Sequence, residues 1–458
     1  MGEIAVHICT ICRDLSLRGT PASGVGGLDS TTQTPPLAAS SPRVAGHSWL
    51  PLALIVSLFF LWGVANNLND VLIPQFKKAF VLNDFQAGLV QSAFYLGYFL
   101  VAMPAGIYMR RFGYKSAVVF GLGLYGLGAL LFWPAAEQGT YGFFLFALFV
   151  IASGLAFLET SANPFVTLLG PSETAARRLN LAQAFNPLGS ITGVLIGQHF
   201  IFSGVEHTPE QLAALSAAER AAFVAHETAA VQLPYLAIGL VVLAWGLLIV
   251  LTRFPAVHAV EEGGVAQGHG VLARLLGDRR FLATLAAQFF YVGAQVGVWS
   301  YLIRYVQATM PGTPAKLAAN YMLVSLACFM AGRFAGGALM RYVAPRRLLA
   351  LFAAVNVVLT VFAVAVPGAL GACALVACSF FMSVMYPTIF ALGVEGHGDD
   401  ERKLGSALLV MTIIGGAVLT AVMGAVSDAA GIARAMLVPA VSFVVILLFA
   451  RMRGAAER

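Results

Sequence analysis

From Leu50 almost to the last residue, long apolar stretches alternate with short polar or Pro/Gly-marked breaks. The breaks predict helices near residues 50–76, 84–109, 116–134, 141–169, 179–203 and 232–252. After a gap, a second set follows near 281–308, 317–340, 347–366, 370–394, 404–426 and 434–451. Each reaches the ~20 residues a membrane-crossing helix needs, which makes about twelve spans. Two hydrophilic inserts stand out. Residues 204–230 carry Glu206, Glu210, Glu219 and Glu227; residues 254–279 carry Glu261, Glu262, His269, Arg274 and Asp278. The second insert divides the spans into two sets of six.

The same pattern sets the expected domains. Residues 1–48, rich in Gly, Ser, Thr and Pro and lacking the apolar core of a signal peptide, read as a disordered tail. A first bundle is expected over 49–253, a linker over 254–279, a second bundle over 280–453 and a short tail over 454–458. An internal repeat supports the halving. Gly106-Ile-Tyr-Met-Arg110-Arg after the second span is echoed by Gly337-Ala-Leu-Met-Arg341-Tyr after the eighth. Asn163-Pro164 with Gly170 is echoed by Tyr386-Pro387 with Gly393. Two six-helix halves related by an axis along the membrane normal form a transporter architecture, with binding near the midplane between them.

Composition narrows the class. The chain is 59% apolar and 10% charged, against about 25% charged in soluble proteins. Its net charge of +6 does not point to nucleic acid, because Lys and Arg fall in the gaps between spans. Arg110, Arg111, Lys115, Arg177, Arg178, Arg253, Arg341, Arg346, Arg347 and Arg402 occupy one set of gaps, while the opposite set holds little beyond Lys77, Lys78, Arg220, Lys316 and Arg434. The positive-inside rule then places both termini and the linker in the cytoplasm. Cys9-x-x-Cys12, with His7 nearby, has no second pair to complete a metal or redox site. Gly121-x-Gly123-x-x-Gly126 matches a dinucleotide fingerprint, but no strand precedes it, and close helix packing explains it better. Neither a phosphate-cradling loop nor a nucleophile elbow is present, so no enzyme activity, cofactor or metal is expected.

Chemistry concentrates where polar residues interrupt the apolar runs. In the first span, Gly63, Asn66, Asn67, Asp70 and Pro74 are three, four or seven apart and share one helix face. A carboxylate at the centre of a membrane helix costs roughly 2.5–3.5 kcal/mol, so it usually faces a bundle interior or an aqueous path. Asp70 is a proton- or ion-path candidate; the alternative is a cap at the outer helix end. In the fourth span, Glu159 lies with Ala152, Ala156 and Asn163 on a face of mostly small side chains. It is either a second protonation site or a structural hydrogen bond to another helix. In the fifth span, Asn180, Gln183, Asn186 and Ser190 form a polar stripe. Their amides suit sugar hydroxyls, or equally serve as glue between helices. Gln288, Tyr291 and Gln295 share a face of span seven, with Trp299 and Arg304 beyond. Phe329 and Tyr386 are interior aromatics that can stack on a pyranose or simply pack. Arg333, near the end of span eight, can snorkel to the surface, so a structural role is expected of it.

At Asn66-Asn67-Leu-Asn69-Asp70, Leu158-Glu159-Thr-Ser-Ala-Asn163-Pro164-Phe165 and Arg178-Leu-Asn-Leu-Ala-Gln183-Ala-Phe-Asn186, the chain resembles the L-fucose:proton symporters of the major facilitator superfamily. Val292-Gly-Ala-Gln295, Trp299-Ser-Tyr-Leu-Ile-Arg304-Tyr and Met385-Tyr386-Pro387-Thr388 resemble that family's second half. The resemblance runs over residues 50–453 and leaves the first 48 without a counterpart. It implies an all-α, twelve-helix membrane carrier, monomeric and set in a bacterial inner membrane. It implies that Asp70 and Glu159 gain and lose protons, and that Asn67, Gln183, Asn186, Phe329 and Tyr386 line a sugar cavity. Related members carry glucose and galactose, so a sodium-coupled or uncoupled hexose carrier stands as the second reading. A non-transporting sugar sensor is the third.

Overall fold

The computed structural model describes residues 49–452, apart from 81, 83, 170, 202–215, 253, 255–269 and 314. The tails at 1–48 and 454–458, and Glu206, Glu210, Glu261, Glu262 and His269 of the two inserts, therefore lie outside the described residues. Within helices the side chains of a few residues, Asp70 among them, also lie outside them.

All regular structure among the described residues is helical. The first half comprises α1 (Trp49–Ala79), α2 (Asp84–Leu130), α3 (Phe132–Gln138), α4 (Tyr141–Leu168), α5 (Ala175–Gln183), α6 (Asn186–Ile196) and α7 (Ala217–Leu251). The second comprises α8 (Val271–Gly277), α9 (Arg279–Thr309), α10 (Ala315–Leu339), α11 (Pro345–Ala365), α12 (Ala369–Met382), α13 (Met385–Val394), α14 (Asp399–Met411), α15 (Ile414–Ala430), α16 (Ile432–Ala435) and α17 (Leu437–Arg451). These supply the twelve spans. The long α2 carries two of them and turns at Gly113, whose φ of 82° lies in the left-handed region that a side chain resists. The fifth, tenth and eleventh spans are each a pair of helices end to end (α5–α6, α12–α13, α14–α15).

Proline explains two of these breaks. Pro187 has no N–H to give the carbonyl of Gln183, and Pro387 has none for that of Ser383. The helices part at residues 184–185 and 383–384 accordingly. Continuous spans at 179–203 and 370–394 were the expectation from hydropathy, which does not register a lost hydrogen bond.

The insert at 204–230 also differs from its sequence reading. Its last part, from Ala217, is the start of α7, opened by a reciprocal capping box in which Ser216 Oγ accepts from the Glu219 backbone and Glu219 accepts from the Ser216 backbone. Glu227 is not a loop residue. It is buried, and Gln75 Nε2 donates to its carboxylate at 2.9 Å. Periodicity could not reveal this, because the partner is supplied by α1.

Backbones approach closely where glycine faces a neighbouring helix. A Cβ on Gly63 would sit 2.1 Å from the Asn186 carbonyl, and one on Gly189 would sit 2.0 Å from that of Phe60. Thus α1 and α6 cross in near-backbone contact, as small residues allow in membranes. The Gly121–Gly126 motif has the same cause: Gly121 meets the carbonyl of Gly154 and Gly126 meets Leu243, while Gly123 meets nothing.

The halves pack on each other at the arginine-rich end. There α14 packs on α2 and α4, and α13 and α10 pack on α5. Arg110 Nη2 lies 3.0 Å from Asp400 Oδ2. Tyr114 donates to Asp399 at 3.0 Å, and Lys403 pairs with the same carboxylate.

Candidate functional site

The site grows from α4, in which every residue from Ile151 to Thr167 is buried. Glu159 is 2% exposed and sits mid-helix. Its Oε1 accepts a hydrogen bond from the Tyr386 hydroxyl of α13, so the contact joins the two halves. The Tyr98 hydroxyl of α2 faces the same carboxylate, with the Trp62 indole beside it. Gln288 of α9 lies fully buried next to the Tyr386 hydroxyl. Among the described residues, Glu159 Oε2 is buried without a hydrogen-bond partner, and the Trp62–Tyr98 and Gln288–Tyr386 pairs beside it face each other without a bond of ordinary geometry. An orphaned buried polar atom costs roughly 1–3 kcal/mol. Several polar groups in one place, drawn from both halves, form a set of donors and acceptors suited to a ligand rich in hydroxyls.

One turn beyond Glu159, Asn163 Oδ1 accepts from Gln183 Nε2 at 3.0 Å. The Gln183 side-chain oxygen in turn accepts from Arg333 Nη1 at 3.0 Å. Arg333 is held by the two broken spans. Its Nη1 donates to the Gln183 carbonyl at 2.9 Å and its Nε to the Ser383 carbonyl at 2.8 Å. These are the two acceptors that Pro187 and Pro387 leave without an N–H. A guanidinium, with five donors in a rigid fork, can cap both at once. Arg333 therefore does not snorkel; it is 5% exposed and stacked over the Phe329 ring at 4.9 Å. Phe329 also meets the Trp299 ring edge-on at 5.0 Å.

The residues singled out from sequence divide into three groups. Glu159, Gln183, Gln288, Phe329 and Tyr386 come together in one inter-half cluster. Asn67 and Asn186 are half-buried beside it on α1 and α6; Asn67 Nδ2 donates to its own helix at Gly63 and Asn186 Nδ2 donates to the Phe59 carbonyl. Gln295 is half-buried two turns along α9 from Gln288. Asp70 lies on α1, its side chain outside the described residues. The polar stripe of the fifth span acts at least partly as glue, since Asn180 Nδ2 also donates to Thr388 Oγ1 across the halves at 3.0 Å. Trp62, Tyr98 and Arg333 were not among the sequence candidates. Aromatics with a polar tip look like core, but the paired prolines that free the carbonyls for Arg333 are visible in sequence.

Comparison with known proteins gives the family. A family model described as Major Facilitator Superfamily matches residues 54–420. The chain is 50% identical over 409 residues to the L-fucose-proton symporter of Escherichia coli, covering 88% of this chain and 93% of that one. It belongs to the major facilitator superfamily, in its L-fucose–proton symporter family. Another family member, the L-fucose-proton symporter of Haemophilus influenzae, is 37% identical over 87% of this chain and 93% of its own. A glucose/galactose transporter of Brucella abortus is 37% identical over 90% and 95%. Among solved structures, the major facilitator transporter FucP in the outward conformation superposes with a TM-score of 0.82 at 50% identity, over 88% of this chain and 98% of that one. A proton:xylose symporter matches at a TM-score of 0.64 and 13% identity, a likeness of fold alone.

Proposed function

We propose that this chain imports L-fucose together with a proton by alternating access. The observation that carries the reading is the Glu159–Tyr386 hydrogen bond, which ties a buried carboxyl of one half to the other beside polar groups that lack bonds of ordinary geometry, in a chain 50% identical to an L-fucose-proton symporter. The sugar binds between the halves, against Gln183, Gln288, Gln295, Asn67, Asn186 and the rings of Phe329 and Tyr386. Asp70 and Glu159 exchange the proton. A charged carboxylate resists enclosure in a closed, dry site, so neutralising it by protonation lowers the cost of closing around the sugar. Closure then passes from the arginine-rich end to the other as the bundles at 49–253 and 280–453 rock against each other. The positive-inside rule orients that end, both termini and the linker toward the cytoplasm of a bacterial inner membrane. The likeness to an outward conformation suits a protein joined at its cytoplasmic end.

One proton moving down 100 mV supplies ~2.3 kcal/mol, enough for roughly 50-fold accumulation at 1.4 kcal/mol per decade. The test is uptake of labelled L-fucose by proteoliposomes under an imposed pH gradient, with D-arabinose, galactose and glucose as competitors. Accumulation that follows the proton gradient and is unmoved by sodium supports the reading. Competition by glucose and galactose stronger than by fucose itself favours the hexose reading, which the 37% identity to a glucose/galactose transporter also supports.

A further inference from the structure

At the arginine-rich end one pair of charges is of the same sign and bridges the halves. Helices α5 and α10 cross where a Cβ on Gly337 would meet Leu181 and where Asn180 Nδ2 donates to Met340 Sδ at 3.6 Å. One turn further out stand Arg177, on α5, and Arg341, in the turn that follows α10. Arg177 Nε and Nη2 are buried with no hydrogen-bond partner among the described residues. Among the described residues, Arg341 and Tyr342 are the charged or titratable groups that act on Arg177. Neighbouring cations have partners: Arg178 donates to the Thr167 and Pro171 carbonyls, and Arg110 Nη2 pairs with Asp400. Two guanidinium groups near each other without a counter-ion among the described residues, one with donors shielded from water, repel each other and are stabilised by an anion.

We propose that Arg177 and Arg341 clamp a phosphate group between the two halves and so favour closure of this end. Planar forked donors suit phosphate oxygens. Because the two arginines belong to opposite halves, the anion binds the closed arrangement better than the separated one and shifts the balance toward it. A phospholipid headgroup and a soluble phosphate share this chemistry. The inference relies on the halves separating at this end, but not on the sugar or on proton coupling.

Nitroxide labels on Ser172→Cys and Ala344→Cys, in full-length protein with its native cysteines replaced, would report the distance across this end. The protein is placed in maltoside detergent, which carries no phosphate, in the same detergent with phosphatidylglycerol added, and in the same detergent with inorganic phosphate added. The closed population should rise roughly tenfold, within the range usual for coupled sites. A response to both additions, or to inorganic phosphate alone, supports a clamp that a soluble phosphate can fill. A response to phosphatidylglycerol alone supports the lipid headgroup. Arg177→Gln with Arg341→Gln should abolish the response and raise closure in plain maltoside, since the repulsion is gone; Arg177→Lys should retain most of it. No response to either addition, or an undiminished one in the double glutamine variant, overturns the proposal. A transport defect by itself would move none of these readings.

Discussion

Tyr386→Phe isolates the contact on which the proposed mechanism turns. The substitution removes one oxygen and leaves the ring, which packs beside Tyr291 and Phe390. In the structure Glu159 Oε1 accepts from the Tyr386 hydroxyl, while Oε2 has no partner among the described residues. The variant therefore strips a 2%-exposed carboxyl of its inter-half donor. Hydrogen bonds to charged groups contribute about 1.5–3 kcal/mol, and an orphaned buried acceptor costs about as much. At 1.4 kcal/mol per decade this corresponds to roughly 10- to 150-fold in any equilibrium that requires the halves to meet here. Apparent fucose affinity of purified protein, and proton-driven uptake in proteoliposomes, should weaken by at least the lower figure. A cycle with Glu159→Gln provides the control, because the two single losses should overlap rather than add. If affinity and uptake stay within about twofold, or if the two substitutions add to within about 0.5 kcal/mol as independent sites do, the bond does not couple the halves and the argument fails.

Three further outcomes are expected. Asp70→Asn should abolish uphill uptake while sparing some sugar exchange, and accumulation that persists under a proton gradient would remove Asp70 from the coupling step. Gly189→Val would drive a side chain into the Phe60 carbonyl, 2.0 Å from the new Cβ; overpacking of this kind costs about 3 kcal/mol, and an unchanged Tm in detergent would contradict the tight crossing of α1 and α6. Arg333→Lys keeps the charge but loses the fork that reaches both proline-freed carbonyls, so stability should fall by about 1–3 kcal/mol, measured as a lower denaturation midpoint; a wild-type midpoint would mean that one ammonium caps both ends equally well.

The arrangement also shows how broken helices can be put to use. Prolines 187 and 387 each cost a backbone hydrogen bond, and in lipid such a loss needs an internal remedy. One buried arginine supplies it at both places and joins the halves in doing so. Its burial is tolerable because three oxygens and the Phe329 face surround it.

Hydropathy by itself determined the class: apolar runs of spanning length, punctuated by arginine, can only be satisfied as membrane helices. It also exposed Glu159 and the amide stripe, since a polar residue inside such a run is conspicuous whatever it touches. The motifs at Asn66–Asp70 and Leu158–Phe165 carried the family. What the chain order could not express was partnership. Glu159 meets Tyr386, Gln75 meets Glu227, and Arg333 meets carbonyls in both halves across long sequence separations. Such pairings depend on which helix faces which, and that is fixed by packing at places like Gly63 and Gly189. For that reason a residue able to reach for the surface lies sealed between bundles, and a glutamate expected in a loop is buried against α1.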